Sequence, residues 1–330
     1  MSILPLSALQ LQHKVSSERV SSGVLDLDAM LEGRGFFRGS SVLVTGTAGS
    51  GKTTLAASFV EAACRRGERC LYIDFEESRD QVARNMKSVG LDLHHWVNDG
   101  LLAHEAWRPT QFGIEMHLLR IYKLVEKFKP QCVVIDPITN LLNGSSENEV
   151  YSMLMRLIDF LKSAGITAFF VSLTGGGNGL EQTTVGISSL TDTWILLRDI
   201  ELSGERNRCI YVLKSRGMAH SNQLREFVMT KRGIKLIPAY IGTGGVLTGS
   251  SRVAQEAREK AEAVRSQIAF EREQEEIERK KIVLEAQAAA LQAEIASVEK
   301  ETKKITSETH EREQQSKRDR VTLARSRHAS

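Results

Sequence analysis

A glycine-rich octapeptide constrains the fold of this chain more than any other stretch. Residues 46–53 read GTAGSGKT, which matches the pattern GxxxxGK followed by Ser or Thr. An apolar run, SVLVTG (41–46), precedes it, and a segment of helical period (52–66) follows it. In a phosphate loop, the backbone N–H groups and the N-terminus of the following helix together bind phosphate oxygens. The octapeptide therefore predicts a nucleotide site in an α/β domain.

The motif assigns roles to its own residues. We expect Lys52 to contact the β- and γ-phosphates of a bound nucleotide, and Thr53 to bind Mg²⁺ through its hydroxyl. The other predicted members of the nucleotide site are Gly46, Thr47, Ala48, Gly49, Ser50, Gly51 and Thr54. The alternative is a glycine-rich turn that binds nothing.

Acidic residues follow two further apolar runs. Asp136 closes QCVVID (131–136), where a site of this class needs a carboxylate that holds the metal. Its alternative is an ordinary Asp that caps the next turn. Glu76 and Glu77 follow RCLYIDF (69–75), so they should lie at the carboxyl edge of the sheet beside the phosphate loop. One of them can be a general base, although a Glu pair is also common in the solvated first turn of a helix.

Apolar runs alternate with segments of helical period over most of the chain, which predicts an α/β domain with a mainly parallel central sheet. The other predicted strands are 167–173, 193–199, 208–214 and 224–230, and the other predicted helices are 78–89, 111–128 and 148–164. After residue 190 only polar turns separate the strands. We therefore expect the sheet to end in antiparallel hairpins.

The last 80 residues have a different composition. Positions 251–330 hold no Gly and no Pro, and 33 of them are Lys, Arg, Asp or Glu. Apolar residues recur there at heptad spacing: Ile277, Leu284, Leu291, Val298 and Ile305 at one position, Ala288 and Ile295 at the complementary one. This pattern predicts a self-associating coiled-coil helix. A single solvated helix laced with charges is the alternative.

These patterns define the domain boundaries. We predict an N-terminal linker at 1–15, an α/β domain with the nucleotide site at 16–238, a Gly-rich linker at 239–251, the coiled-coil helix at 252–325 and a tail at 326–330.

Charge and cysteine content exclude several classes of protein. The net charge of +3 is too small to indicate nucleic acid or an anionic membrane as a partner. No apolar run approaches the ~20 residues of a membrane span, and the N-terminus reads poorly as a signal peptide. The four cysteines show no CxxC spacing. We therefore expect free core thiols in a reducing cytoplasm.

Three stretches together resemble one family. Residues 19–61, 74–90 and 187–217 resemble the KaiC family of clock ATPases and autokinases, within the RecA-like ATPases, and more narrowly the second, C-terminal repeat of those proteins. The resemblance runs from about Val15 to Ile237. Members of the family ordinarily carry two such domains in tandem, whereas this sequence shows one. Residues 2–16 resemble the linker that enters the second domain, which is consistent with a fragment of a longer protein.

The resemblance implies a homohexameric ring with ATP at each subunit interface. It implies that Lys214 and Arg216 act on the γ-phosphate held by the neighbouring subunit, and that Arg208 is another basic contact to the nucleotide. Without the family, the segment KSRG (214–217) reads as a strand end that enters a turn.

The resemblance also implies autophosphorylation. Ser188 and Ser189 occupy the family's acceptor positions, where Ser replaces the usual Thr at the second, and Thr183 matches a nearby hydroxyl. Glu76 would be the base that activates the acceptor, with Glu77 in support. The alternative for the serine pair is two turn hydroxyls.

The C-terminal part departs from the family, whose C-terminus is a short segment that binds a regulatory clock protein. Nothing in 252–330 resembles that segment. We expect the helix to pair subunits within a ring or to join two hexamers. Two other functions stay open: an assembly module in which ATP cements the ring while the helix recruits a partner, and a RecA-like DNA-dependent ATPase. The weak charge and the lack of an evident basic or aromatic loop count against the second.

Overall fold

A computed structural model of the protein describes residues 15–175, 186–202, 204–242 and 245–327. The chain divides into two compact units, Met1–Ala254 and Gln255–Ser330. Thr183, one of the predicted hydroxyls, lies outside the described residues.

Strands and helices alternate along most of the described residues of the first unit. In chain order, the strands are β1 Arg19–Val20, β2 Phe36–Phe37, β3 Ser41–Gly46, β4 Cys70–Asp74, β5 Leu102–Ala106, β6 Cys132–Asp136, β7 Thr167–Leu173, β8 Thr193–Leu202, β9 Glu205–Ser215, β10 Arg225–Thr230, β11 Gly233–Pro238, β12 Tyr240–Gly242 and β13 Gly245–Leu247. The α-helices are α1 Leu25–Met30, α2 Lys52–Arg65, α3 Arg79–Lys87, α4 Leu93–Asn98, α5 Ile114–Phe128, α6 Glu147–Ser163 and α7 Gly249–Arg327. Short 3₁₀ turns lie at Pro109–Gln111, Ile138–Gly144 and Ile187–Ser189.

A nine-stranded sheet is the centre of the described part of the first unit. Its strand order is β11-β10-β9-β8-β3-β7-β6-β4-β5. The six strands from β8 to β5 are mutually parallel, and β9, β10 and β11 continue the sheet as antiparallel hairpins. This is the RecA-like α/β architecture with a mainly parallel sheet, and the expected antiparallel ending is confirmed.

Side chains alternate between the two faces of the sheet, as the two-residue period of a strand requires. Val42 and Val44 of β3 pack in one core with Phe59 of α2, whereas Leu43 packs in the opposite core with Leu154 of α6. Helices therefore cover both faces. Because of this, β3, β4 and β6 are buried along their whole length and read as continuous apolar runs. The four cysteines are free and buried, as expected.

Some elements differ from the sequence-based expectation. The pattern misses β5, an edge strand that carries His104 and Glu105, and α4, which has only six residues. Residues 239–251 are predicted as a linker, but the structure forms a small β12–β13 hairpin in which Tyr240 pairs with Leu247. The physical reason is that β-forming residues such as Tyr240 and Val246 lie on both sides of the glycines in this segment. The final helix begins at Gly249, three residues before the predicted start.

The final helix, α7, contains all the described residues of the second unit. It has 79 residues, or about 120 Å at ~1.5 Å per residue. Ion pairs between successive turns support it, such as Lys280 Nζ to Glu276 Oε1 at 2.7 Å. The heptad residues Ile277, Leu284, Leu291, Val298 and Ile305 are each 57–63% exposed in the single chain. Among the residues described, no helix is both long and apolar enough to span a bilayer.

Candidate functional site

The phosphate loop joins β3 to α2 at the carboxyl edge of the parallel strands. Gly49 and Gly51 have φ values of +77° and +101°, in the left-handed region that favours glycine. A Cβ on Gly51 would lie 2.7 Å from Phe227 Cε1, which is too close for any side chain. The loop therefore needs glycine at position 51 for both its conformation and its packing.

Lys52 is the first residue of α2 and is buried beneath the loop, with 6% of its surface exposed. Its Nζ donates to the Thr47 carbonyl oxygen at 2.6 Å. Burial lowers the pKa of Lys52, and the negative charges of Asp136, Glu76 and Asp199 partly oppose that shift. In the described part of the chain Lys52 forms no ion pair. A buried ammonium group under a loop of this shape fits a phosphate chain.

Asp136 ends β6 and lies beside Thr53. Burial raises the pKa of Asp136 to about 6, while hydrogen bonds from the Tyr72 and Thr53 hydroxyls and the charge of Lys52 act in the opposite direction. The Tyr72 hydroxyl donates to Asp136 Oδ2 at 2.8 Å. A hydroxyl and a carboxylate are oxygen ligands of the kind that Mg²⁺ takes together with water and phosphate oxygens. The donor set of Thr53 and Asp136 therefore fits Mg²⁺.

The two glutamates after β4 occupy different environments. Glu77 is half-buried, and its Oε2 accepts a hydrogen bond from Asn85 Nδ2 at 3.1 Å. Glu76 is exposed and forms no side-chain hydrogen bond or ion pair with the residues that the structure describes. Both line the same cleft as Lys52. Glu76 is thus the carboxylate that is free to act on a bound group.

Asp74, the last residue of β4, belongs to this site although the sequence pattern did not single it out. It is 2% exposed, and its Oδ1 accepts the backbone N–H groups of Glu76 and Glu77, each at 2.7 Å. Burial raises the pKa of Asp74 to about 7, although the two N–H groups lower it. The signal that could have found it is an acidic residue at the end of an otherwise apolar run.

The hairpin of β8 and β9 braces the outer part of the phosphate loop. Arg208 Nε donates to the Gly49 carbonyl oxygen at 3.0 Å. The Thr47 hydroxyl donates to Asp199 Oδ2 at 3.3 Å, and Arg206 binds the same carboxylate oxygen at 2.6 Å. Arg208 therefore lies on the phosphate loop of its own chain.

The cleft has a volume of about 250 Å³. It brings together most of the residues predicted for the nucleotide site; its walls are Ala48, Gly49, Gly51, Lys52, Thr53, Thr54, Asp74, Glu76, Glu77, Asp136, Pro137, Leu173 and Met229. Gly46 and Ser50 belong to the phosphate loop but do not line the cleft: Ser50 is fully buried, and a Cβ on Gly46 would contact its hydroxyl.

A second cluster gathers the remaining predicted residues. Lys214 Nζ donates to the Ser188 carbonyl oxygen, and Arg216 Nη2 donates to the Ser189 carbonyl oxygen, each at 2.7 Å. Ser188 is half-buried and Ser189 is exposed. None of these four residues lines the cleft. Nearby, Lys162 pairs with Asp192 at 2.8 Å and anchors the start of β8.

The glycine requirement gives a first prediction. We expect Gly51→Ala to lower the free energy of unfolding by about 2 kcal/mol or more, since alanine disfavours the left-handed region and its Cβ would displace Phe227. Nucleotide binding should weaken with it. Chemical denaturation and a nucleotide-binding titration measure both. Gly144→Ala is the matched control, because a Cβ there contacts nothing within 4 Å and the backbone needs no positive φ. Equal stability of the two variants would contradict the prediction.

Comparison with known proteins places the site in a family. A family profile described as the KaiC ATPase matches residues 20–240. The chain is 53% identical over 269 residues to the circadian clock protein KaiC2 of Synechocystis sp., an alignment that covers 81% of this chain and 47% of that protein.

More distant relatives carry similar names. The circadian clock oscillator protein KaiC of Thermostichus vulcanus is 38% identical over 269 residues, which covers 80% of this chain and 51% of that protein. The circadian clock protein KaiC3 of Synechocystis sp. is 36% identical over 249 residues, covering 75% of this chain and 49% of that protein. The chain thus spans about half the length of the relatives it matches.

Proposed function

The chain belongs to the KaiC ATPase family, and from this premise we propose that it is a Mg²⁺-dependent ring ATPase that also transfers phosphate to its own Ser188 or Ser189. One observation carries the proposal. Lys214 and Arg216 are hydrogen-bonded to the backbone of the two serines, and all four stand apart from the cleft that holds Lys52, Asp136 and Glu76. The two clusters are complementary halves of one phosphoryl-transfer site, and a neighbouring copy brings them together.

The cleft supplies the phosphate-binding half. The loop N–H groups and the start of α2 bind phosphate oxygens, and Lys52 neutralises charge on the β- and γ-phosphates. Thr53 and Asp136 would hold Mg²⁺, which would neutralise charge on the phosphate oxygens when bound.

The second cluster supplies the acceptor half. The Oγ of Ser188 or Ser189 attacks the γ-phosphorus of the ATP held by the neighbour. The bond between the γ-phosphorus and the oxygen that leaves with ADP breaks, and the serine proton passes to Glu76 in the neighbour's cleft. In hydrolysis a water replaces the serine. Lys214 and Arg216 stabilise the charge that develops on the transferred phosphoryl group, a role that cations supplied by another subunit commonly have. The ring is proposed to be a homohexamer with ATP at each contact between copies.

The proposal is tested by intact-mass spectrometry of the full chain after incubation with Mg²⁺ and ATP. We expect a gain of about 80 Da per phosphate in the wild type and no gain in Lys52→Ala or in Ser188→Ala/Ser189→Ala. A gain that persists in the double serine variant would refute the acceptor assignment. ADP production without any gain would refute the autokinase and leave the ATPase.

We propose that α7 pairs with α7 of another copy as a coiled coil, and so joins subunits or two rings. The exposed heptad residues of the single helix support this, because a helix that stayed solitary would leave them in water.

The pairing predicts a contrast between two doubly substituted chains. Leu284→Glu/Leu291→Glu places charge in the heptad seam and should weaken self-association at least about tenfold, since it buries carboxylates between helices. Ala286→Glu/Ala293→Glu adds the same charges on the opposite side of the helix and should have little effect. Sedimentation velocity of the full chain without nucleotide, so that ATP does not hold the ring together, measures both association constants. Equal self-association of the two variants would contradict the pairing.

A second candidate function is an assembly module in which ATP cements the ring and α7 recruits a partner, such as a clock regulatory protein. The length of α7 and its exposed apolar residues favour it. Very slow ATP turnover together with nucleotide-dependent particle size would select this function. A reducing cytoplasm suits either function, since the four cysteines are free.

A further inference from the structure

The turn between β4 and α3 carries Glu76, and its backbone has few partners of its own. β4 ends at Asp74 and α3 begins at Arg79, so the N–H groups of residues 75–78 lie outside both elements. Backbone N–H groups that are shielded from water need hydrogen-bond acceptors. The residues that supply these acceptors are therefore the ones that fix the turn. The Phe75 N–H reaches the Asp136 carbonyl oxygen at 2.8 Å, and the Ser78 N–H reaches Gln81 Oε1 at 2.9 Å.

The two N–H groups in the middle of the turn depend on one atom. Both Glu76 and Glu77 donate their N–H groups to Asp74 Oδ1 at 2.7 Å. We infer that Asp74 is a positioning residue, whose carboxylate fixes the turn from which Glu76 acts on the transferred phosphoryl group. This inference rests on the proposed function of the cleft.

Two observations argue against other roles for Asp74. Its Oδ1 already accepts two short hydrogen bonds from the turn, so the contacts of this oxygen lie with the turn and not with a ligand. In the described part of the chain it forms no ion pair with Lys or Arg, so it does not serve as a salt bridge that holds the fold.

The location of Asp74 also makes it costly to the fold. Its register partner on β6 is Asp136, so two carboxylates lie side by side at the edge of the sheet. Asp74 is 2% and Asp136 4% exposed, and two buried carboxylates side by side repel each other when both are ionised. A residue that lowers the stability of the fold and lies in the wall of a cleft is typical of a functional site.

The inference predicts a specific pattern of kinetic constants for ATP hydrolysis by the full chain. Asp74→Ala should lower kcat by about 10- to 100-fold and change KM by less than about twofold, because displacing a catalytic group by about 1 Å costs up to about 10²-fold while the phosphate-binding groups are untouched. Asp74→Asn, which keeps an acceptor oxygen, should retain kcat within about threefold. Asp80→Ala, in the first turn of α3, is the matched control and should behave as wild type.

The rate of amide hydrogen exchange measures the order of the turn directly and does not depend on catalysis. In Asp74→Ala the amides of Glu76 and Glu77 should exchange at least about tenfold faster, whereas the amides of β4 keep wild-type rates. Wild-type rates at β4 also show that the variant is folded. Unchanged exchange at Glu76 and Glu77 would overturn the inference whatever the kinetics.

A double-mutant comparison separates failure of the inference from failure of the proposed function. If Asp74 acts only through the glutamates, Asp74→Ala should cause no further loss of kcat in a Glu76→Gln/Glu77→Gln background. A further loss would overturn the positioning role. Wild-type turnover by Glu76→Gln/Glu77→Gln itself would refute the proposed base, while the exchange measurement would still decide whether Asp74 fixes the turn.

Discussion

ATP turnover is expected to fall by about 10²- to 10³-fold in Lys52→Ala, the range seen when one preorganised donor to a developing charge is removed. The reason is the placement of Lys52: it is 6% exposed, at the N-terminus of α2 and under the phosphate loop. No other cation in the walls of the cleft, as far as the structure describes them, can replace it. Nucleotide affinity should fall as well, since the ammonium group would bind the phosphates of the nucleotide before the reaction as well as in the transition state.

The thermal stability of Lys52→Ala should change much less than its ATP turnover. Lys52 is desolvated and its one hydrogen bond goes to the Thr47 carbonyl oxygen, so alanine removes a buried charge together with that bond. We expect little change in melting temperature without nucleotide and a loss of the stabilisation that ATP gives the wild type. Lys127→Ala, on the exposed surface of α5, is the control. Wild-type turnover in Lys52→Ala would refute the assignment of the cleft.

Asp136→Asn should abolish most of the turnover and yet stabilise the nucleotide-free protein. The folded-state pKa of about 6 lies above the ordinary 3.8, so folding favours the protonated acid. The contribution of this group to stability is therefore fully present below pH 3.8 and is lost as pH rises through about 6. Above that, the buried carboxylate costs up to about 3 kcal/mol, at 1.36 kcal/mol per pKa unit.

Asparagine removes this cost because it stays neutral and can still accept from the Tyr72 hydroxyl. At about pH 8 without Mg²⁺ or ATP, we expect the variant to be about 1–3 kcal/mol more stable, with the difference shrinking as pH falls towards about 4. Thermal melts across this pH range measure it. Mg²⁺ with ATP should stabilise the wild type more than the variant. A variant less stable than wild type at the alkaline end of this range would contradict the account of Asp136.

The parts of the site that lie on short continuous segments were predictable from sequence, because the residue types within each segment determine its conformation. The octapeptide 46–53 fixes the loop through glycine conformations and the start of α2. Asp136 and Glu76 could be located because they follow buried strands, and the carboxyl ends of parallel strands meet at one edge of the sheet. The apolar runs were readable for the same reason: helices cover both faces of the sheet.

The remaining parts depend on tertiary register, which periodicity does not encode. Asp74 matters because β4 lies beside β6 and because its carboxylate turns back to the following N–H groups. Arg208 reaches its own phosphate loop because β9 pairs with β8 next to β3. Edge strand β5 and the β12–β13 hairpin were not predictable, since their sequences are short, polar or rich in glycine.

Phosphate transfer between two distinguishable copies tests the central claim most directly. Lys52→Ala lacks the phosphate-binding lysine but keeps both serines, whereas Ser188→Ala/Ser189→Ala keeps the lysine but lacks the acceptors. The two chains are co-expressed, incubated with Mg²⁺ and ATP, and weighed as intact chains, which their substitutions make distinguishable. The account predicts a gain of about 80 Da on the Lys52→Ala chain alone, because each site combines the cleft of one copy with the serines of the next. No gain on that chain, while the wild type is phosphorylated, would contradict a site shared between copies.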